Sequence, residues 1–349
     1  MTRLDWIVLR RVGGRVMLTL AIFFGLFALV ESLDSWRFTT LSRLGGPQLA
    51  VLAIVSGGAR SIIGAMPVIV LIGAIIGVLD LQARREMTII KATGVSIWRV
   101  MRAPLVAAIL LGLLASFVGD TIAIQISRAL PVTRASADTL WLEQHGTDGD
   151  YILRANHTSA DGTVLDGVSI FFTSGDNRDR IEAASAKLGD GAWILSGAVR
   201  YRPDRGPEFF DQLGIPTQTT IGDMRIRLTS ARDLTFTELL TTVAQRVADP
   251  ALRATALTSL LRLLALPALL AGSVLIGFAF TSGYRRTNKY GGAVLYGIVL
   301  GFVVYVVTEL ASRSGFAGVL DPTFAAAGPA FVAIVIGLTV LLYKEDGRA

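Results

Sequence analysis

Few side chains in this sequence are of the kinds that enzymes use for nucleophilic or metal chemistry. The chain has no Cys and only two His, His145 and His157, and it contains no HExxH zinc motif. Its polar middle shows neither the GxSxG pattern of a serine hydrolase nor two carboxylates at a catalytic spacing. The GxxxxGK[ST] loop that holds nucleotide phosphates is also missing from the sequence. We therefore predict a protein that is not an enzyme and that uses no metal and no cofactor.

One charged stretch, residues 81–96, has the composition of a protein-docking element. Its sequence is LQARREMTIIKATGVS, and residues 84–92 are compatible with a short helix. Gly94 stands where a left-handed residue commonly ends a helix. Three residues share one predicted face of this helix: Met87, Ile90 and Lys91. A short helix that carries an acidic residue, Glu86, suits the binding of a partner. The alternative is a helix that rests on lipid headgroups through its two arginines.

The composition places this stretch in a membrane protein. Of the 349 residues, 52% are hydrophobic and 17% are charged, and the mean hydropathy is +0.57. A soluble domain carries about 25% charged residues, so we exclude a soluble, a disordered and a disulfide-based protein. A membrane-spanning helix needs about 20 mostly apolar residues. Six stretches approach this length: 16–33, 61–79, 103–119, 263–284, 290–308 and 322–343. An alternative start of the second stretch near residue 51 puts Arg60 inside the helix.

A polar segment, residues 128–262, separates the third span from the fourth, and its periodicity changes from helix to strand. Turn signals recur in it roughly every 13 to 17 residues, as expected for an antiparallel sandwich or a jelly roll. The predicted strands include 168–172, 192–195 and 224–228. Residues 230–245 return to a helical pattern, with capping residues from Thr235 to Glu238. The sequence thus predicts three spans, a β domain and three more spans.

The distribution of Lys and Arg predicts the orientation in the membrane. With six crossings, the side of the two termini carries four, five, three and two of these residues near the span ends, within 3–15, 84–102, 285–289 and 344–348. The short loops of the opposite side carry three: Arg37, Arg43 and Arg313. Because cytoplasmic loops carry the excess of Lys and Arg, we expect cytoplasmic termini and an exported β domain. The same bias explains the net charge of +6 without a nucleic-acid partner.

The 81–96 stretch resembles a cytoplasmic-loop motif of the LptF/LptG permeases, the membrane subunits of the lipopolysaccharide-export ABC transporter. The pattern that carries the resemblance is Glu86-x-Thr-x-x-Lys-Ala-x-Gly-x-Ser. Further segments are similar to the same family: Trp141 at the head of the exported domain, 180–186 leading into 191–195, 233–239, and Asp321-Pro322 with Pro329 in the last span. Together they cover nearly the whole chain, and residues 315–329 look more like LptG than LptF.

The resemblance implies a membrane α-helical fold of six transmembrane helices, three plus three, with an inserted periplasmic all-β jelly-roll-like domain. Residues 1–127 would hold the first three spans, with a cytoplasmic coupling helix at about 84–93. Residues 128–250 would form the β-jelly-roll domain, and residues 251–349 the last three spans. The expected location is the inner membrane of a Gram-negative bacterium, as a multi-pass protein.

The resemblance also implies a set of partners. They are a homologous LptF-like or LptG-like permease, an LptB-like ATPase dimer, an LptC-like single-span protein and a periplasmic LptA-like bridge, with lipopolysaccharide as the substrate. ATP hydrolysis would take place on the separate ATPase. In this family the short cytoplasmic helix docks in a groove of the ATPase, which carries over to Arg85, Glu86 and Gly94 as coupling residues.

Two further groups of residues are candidates for contacts in the membrane. Arg37 and Arg43, at the outer end of the first span, could pair with the phosphates of lipopolysaccharide, and ordinary interfacial anchoring is the alternative. Gly297 and Gly301 stand four residues apart, a spacing that lets helices approach closely. We predict them at the interface with the homologous permease. The pair within 73–77 has the same spacing, and packing inside the chain is the alternative for both pairs.

Other functions compete with that of a lipopolysaccharide permease. The main one is a membrane-anchored periplasmic binding or sensor protein without transport, which would need no docking helix for an ATPase. A membrane-anchored enzyme would need the catalytic motifs that the polar segment lacks. A self-contained secondary transporter is expected to carry ionisable residues deep in its spans, yet the cores of spans three to six have almost none.

Overall fold

The computed structural model describes residues 3–33, 39, 42–43, 46–129, 140–146, 149–159, 162–173, 179–189, 191–202, 205–229, 233–244, 247, 249–281 and 290–345. In chain order the elements are α1 (Arg3–Ser32), α2 (Pro47–Ala83), α3 (Glu86–Ala92), α4 (Ile97–Leu114), α5 (Asp120–Ala129), β1 (Leu140–Gly146), β2 (Gly149–Thr158), β3 (Val164–Phe172), β4 (Arg180–Leu188), β5 (Ala192–Arg202), β6 (Arg205–Pro216), α6 (Ile221–Thr229), α7 (Phe236–Ala244), α8 (Pro250–Thr281), α9 (Tyr290–Phe316) and α10 (Pro322–Glu345). The chain forms two compact units, Met1–Leu130 with Leu257–Ala349, and Pro131–Ala256.

Within the described ranges, six helices are long and apolar enough to cross a membrane, and they confirm the six predicted spans. They are Arg3–Ser32, Pro47–Ala83, Ile97–Ala129, Pro250–Thr281, Ile298–Phe316 and Pro322–Tyr343. The third contains a five-residue π-helical turn, Ala115–Gly119, which joins α4 to α5. α2 begins at Pro47, a favourable place for proline because the first residue of a helix has no intrahelical partner for its N–H. Arg60 therefore lies inside α2, as predicted by the alternative start of the second span near residue 51.

The backbones of α1 and α2 touch at two glycines. A Cβ atom placed on Gly73 would lie 2.6 Å from the Cα of Val16, and one placed on Gly77 would lie 2.8 Å from the Cα of Val12. Any larger side chain would push the two helices apart, so the close packing depends on these residues being glycine. The 73–77 pair is therefore used for packing inside the chain, which was one of its two predicted roles.

The inserted unit is built on one antiparallel sheet whose six strands pair in chain order from β1 to β6. Its core contains the alternating inward side chains of neighbouring strands, among them Leu153, Ile170 and Trp193, each 0% exposed. The predicted strands 168–172 and 192–195 lie within β3 and β5, which confirms the prediction of an antiparallel β domain.

The predicted strand at 224–228 is wrong, because these residues belong to helix α6. The side chains of Thr220 and Asp223 cap its first turn reciprocally. The Thr220 N–H donates to Asp223 Oδ2 at 2.7 Å, and the Asp223 N–H donates to Thr220 Oγ1 at 3.2 Å. This capping box supplies partners for N–H groups that a helix start leaves open. Met224 and Ile226, whose alternation with polar residues predicted a strand, are both buried within this helix.

The predicted return to helix after the sheet is confirmed by α7. The Thr235 N–H donates to Glu238 Oε2 at 2.8 Å, and the Glu238 N–H donates to Thr235 Oγ1 at 3.4 Å. The predicted capping residues thus form a capping box that starts α7 and leads the chain towards α8.

Candidate functional site

Helix α3 is bounded by two residues in the left-handed backbone region. Arg85, at φ 59°, directly precedes it, and Gly94, at φ 78°, follows two residues after its end. A left-handed arginine is uncommon because its Cβ crowds the backbone, whereas glycine adopts this region freely. The predicted short helix and the left-handed Gly94 are both confirmed. The chain thus turns sharply on each side of α3 and sets the direction of this seven-residue helix.

One face of α3 is fixed in the core of the membrane unit, and the other is exposed. Met87 and Ile90 are 3% and 8% exposed and belong to a cluster that includes Val8 and Val12 of α1. Lys91, predicted on the same face, is exposed. The outward side chains that a partner could contact are Thr88, Ile89, Lys91 and Ala92. The helix is therefore attached to the spans by apolar packing, and its opposite face is exposed.

A salt bridge joins α3 to the first span. Arg11 Nη2 donates to Glu86 Oε1 at 3.1 Å, and both side chains are partly buried. The second carboxylate oxygen of Glu86 is buried and accepts no hydrogen bond within the described part of the chain. An exposed ion pair contributes little to stability, but partial burial and a fixed position on two helices give this one a defined geometry.

A second carboxylate, Asp80, binds two arginines at the end of α2. Arg15 Nη2 of α1 donates to Asp80 Oδ1 at 3.2 Å, and Arg84 Nε lies 3.5 Å from the same oxygen. The roles of Arg11, Arg15 and Asp80 were not predicted, because partners that lie 75 and 65 positions apart show no relation in the sequence. Together the two carboxylates and three arginines connect α1, α2 and α3.

A cavity of about 440 Å³ lies beside these ion pairs. Its lining combines arginines with apolar side chains and one carboxylate: Trp6, Ile7, Arg10, Arg11, Gly14, Arg15, Leu18 and Asp80. All but Asp80 belong to α1, so the cavity follows one side of the first span.

The remaining predicted site residues are Arg37, Arg43, Gly297 and Gly301. Arg43 is exposed, and Arg37 lies outside the described residues. Gly297 is part of α9, and its burial and contacts are not described. A Cβ atom on Gly301 would lie 3.1 Å from Cγ1 of Val68 in α2, so this glycine packs against its own chain. Its prediction as an interface residue stays a prediction.

The inserted unit has a polar cavity of about 270 Å³ at the start of α6. Arg227 Nη2 donates to Asp249 Oδ2 at 3.2 Å, and Asp223 Oδ1 accepts from the Asp249 N–H at 3.4 Å. These bonds hold α6 against the residues before α8 and serve the local fold. Across the described residues, no three His, Asp or Glu side chains come together as a metal site would require.

The sequence of the chain matches a known protein family. The model of the family described as lipopolysaccharide export system permease LptF/LptG matches residues 6–343, nearly the whole chain. No curated protein matches the sequence. Six apolar helices and an inserted antiparallel sheet agree with this match, and with it they describe a multi-pass protein of the inner membrane. The chain belongs to the LptF/LptG family and is a permease subunit for lipopolysaccharide export.

Proposed function

We propose that the chain is the transmembrane permease subunit of an ABC transporter that extracts lipopolysaccharide from the inner membrane and passes it to a periplasmic bridge. The observation that carries the proposal is the exposure of helix α3. Ile89 is 63% exposed, although Met87 and Ile90 on the other face are buried in the core of the span bundle. An apolar side chain presented on a fixed helix is suited to a groove in a partner protein.

In this proposal ATP is hydrolysed on a separate LptB-like dimer in the cytoplasm, and α3 docks on it. Arg85 and Gly94 set the direction of the helix through their left-handed conformations, and Glu86 occupies its first turn. A displacement of α3 reaches α1 by two routes. One is the apolar core that Met87 shares with α1, and the other is the bond between Arg11 and Glu86.

The orientation in the proposal is cytoplasmic for both termini and for α3, and periplasmic for the β domain. The support is the unequal distribution of Lys and Arg at the span ends. Two of the cations on the proposed cytoplasmic side, Arg11 and Arg15, form the ion pairs with Glu86 and Asp80. The side of the β domain would then receive the lipid.

The complete transporter in this proposal contains a homologous LptF-like or LptG-like permease, an LptC-like single-span protein and an LptA-like bridge. Arg37 and Arg43 would contact the phosphates of lipopolysaccharide, where guanidinium groups bind phosphate oxygens well. Gly297 and Gly301 would face the homologous permease. Because Gly301 already packs near Val68 of its own chain, Gly297 is the better position for a crosslinking test.

The test is affinity purification of the tagged chain in mild detergent, followed by mass spectrometry of the proteins and lipids. We expect a small ATPase, a six-span homologue and lipopolysaccharide. The variant Ile89→Asp should lose the ATPase and keep the homologue. Val319→Asp is the matched control, because Val319 is also apolar and exposed but follows α9. A chain that is recovered without an ATPase in several detergents would favour a binding or sensor protein.

A further inference from the structure

We propose that the cavity beside α1 binds an anionic glycerophospholipid, with the phosphodiester at the arginines and an acyl chain along the same helix. The ligand differs from lipopolysaccharide in its class and in its place on the chain. The inference needs α1 to span a membrane. The lipid would lie in the cytoplasmic leaflet, and only this part of the inference rests on the orientation in the proposed function.

The charges around the cavity favour an anion. Arg10, Arg11 and Arg15 contribute three positive charges to its lining, and Asp80 contributes one negative charge. Arg15 is paired with Asp80, and Arg11 is paired with Glu86. Arg10 is exposed and forms no ion pair with another described residue. A guanidinium group in this setting is suited to a phosphate, to which it can donate two parallel hydrogen bonds.

The space for the headgroup is at a glycine, which has no side chain to fill it. Gly14 lies in the cavity lining, one helical turn from Arg10, and a Cβ atom placed on it would meet no atom within 4 Å. Glycine makes a helix interior less stable than alanine does, and no close packing against the described residues explains it here. The open position beside Arg10 leaves space for a group that is not part of this protein.

An apolar stripe continues from the cavity along α1. The side chains of Leu18, Ile22, Leu26 and Leu29 are 50%, 56%, 54% and 58% exposed. Their spacing of three and four residues places them on one face of the helix. From Gly14 to Leu29 the helix rises about 22 Å, which exceeds the half-thickness of about 15 Å of a bilayer core. The stripe can therefore accompany a full acyl chain.

The combination of these features favours a lipid over other occupants. A free phosphate would use the arginines and leave the apolar stripe without a role. A protein partner of this stripe would have to bring an anionic group to Arg10 at the end of an otherwise apolar surface. A glycerophospholipid carries both parts in one molecule, and Trp6, which is 61% exposed at the same cavity, has the amphipathic side chain that membrane interfaces favour.

The experiment is native mass spectrometry of the full-length chain, purified with its partner subunits, delipidated and titrated with phosphatidylglycerol or phosphatidylcholine. We expect one phosphatidylglycerol to bind at least about fivefold more tightly than phosphatidylcholine. Arg10→Gln should remove about fivefold of this affinity, the factor associated with one basic residue at a membrane surface. Gly14→Leu fills the cavity without meeting the protein and should abolish the preference.

Gly25→Leu is the matched control, because Gly25 lies on α1 and its added Cβ also meets nothing within 4 Å. It should keep the preference for phosphatidylglycerol. An equal loss in Gly14→Leu and Gly25→Leu, or no loss in Gly14→Leu, would overturn the site. Displacement of the bound lipid by excess inorganic phosphate would identify a free-anion site and overturn the lipid assignment. A photo-crosslinker at position 14 that captures a partner subunit would do the same.

The leaflet is tested separately. The sequence contains no Cys, so a single cysteine introduced at Arg3 can be labelled without background. Labelling from the periplasm would overturn the proposed orientation and leave the lipid site intact. If the unchanged protein has normal orientation and transport but does not prefer phosphatidylglycerol, the lipid site alone is overturned.

Discussion

Arg11 of the first span holds one carboxylate oxygen of Glu86 at 3.1 Å, across 75 positions of the sequence. The bond joins the helix that we propose as the ATPase contact to a helix that crosses the membrane. Glu86 keeps a second, buried oxygen without a hydrogen bond among the described residues. Arg11 therefore pairs with only one of the two carboxylate oxygens of Glu86.

Reversal of this charge should separate ATP hydrolysis from transport. In Glu86→Lys the new cation faces Arg11, and like charges repel where opposite charges were bonded. We expect lipopolysaccharide release from proteoliposomes to fall about tenfold or more while ATP hydrolysis by the assembled complex continues. Normal transport by Glu86→Lys would remove the coupling role.

The contribution of Arg11 can be measured by a charge exchange. Arg11→Glu should impair transport, and the double variant Arg11→Glu with Glu86→Arg should recover part of it, because the ion pair is restored in the opposite direction. Arg3→Glu is the control on the same helix, at an exposed position outside the ion pairs. A double variant no better than the worse single variant would show that the pair transmits nothing.

The glycines of α2 should be essential for the stability of the membrane unit. In Gly77→Leu the side chain would overlap the backbone of Val12, so α1 must move away from α2. Overpacking of this kind costs about 1–3 kcal/mol. We expect a melting temperature lower by several degrees in detergent, measured by tryptophan fluorescence. Gly25→Leu, which has open space, should melt close to the unchanged protein.

The cap of α6 should stabilise the β domain. Asp223→Ala removes the carboxylate that accepts hydrogen bonds from the N–H groups of Thr220 and Asp249. Loss of a helix cap costs about 1 kcal/mol, and unpaired buried donors add to this. Denaturant unfolding of the full chain, followed through the buried Trp193, should shift to lower concentration. Asp211→Ala changes an exposed carboxylate in β6 and should leave the midpoint unchanged.

The buried Tyr151 should make the β domain sensitive to alkali. Its hydroxyl donates to the Pro216 carbonyl at 3.2 Å. Burial raises the pKa of Tyr151 to about 12, and its hydrogen bond with Thr217 acts in the opposite direction. The unfolded chain releases this proton near pH 10. The stabilising contribution is therefore complete below pH 10 and is lost as the pH rises towards 12, by up to about 3 kcal/mol.

The measurement is denaturant unfolding between pH 9 and pH 12, with Tyr151→Phe as the test variant. It should lose the part of the pH dependence that arises from this hydroxyl. Tyr201→Phe is the control, because Tyr201 is 41% exposed in β5. Equal slopes for the two variants would assign the alkaline sensitivity to other groups.

The elements that could be predicted from the sequence are those whose signal is local. The spans follow from long apolar stretches, and α7 follows from the capping residues at Thr235 and Glu238. The prediction failed for α6, where a period of two pointed to a strand and the cap formed by Thr220 and Asp223 decided the conformation. The bond between Arg11 and Glu86 was beyond prediction, because the two residues meet only through the packing of α1 on α2 and the turn that leads into α3.

The joint between α2 and α3 has mechanical consequences. Only two residues separate the helices, and one of them, Arg85, is held in a left-handed conformation. So short a joint absorbs little displacement, and a sideways push on α3 must tilt the adjoining end of α2. Pro67, inside α2, lacks the N–H that would complete the helix there, so the helix bends most easily at this residue. The segment from Pro67 to Ala83 is about 24 Å long and contacts α1 at Gly73 and Gly77, so a tilt of this segment also moves α1.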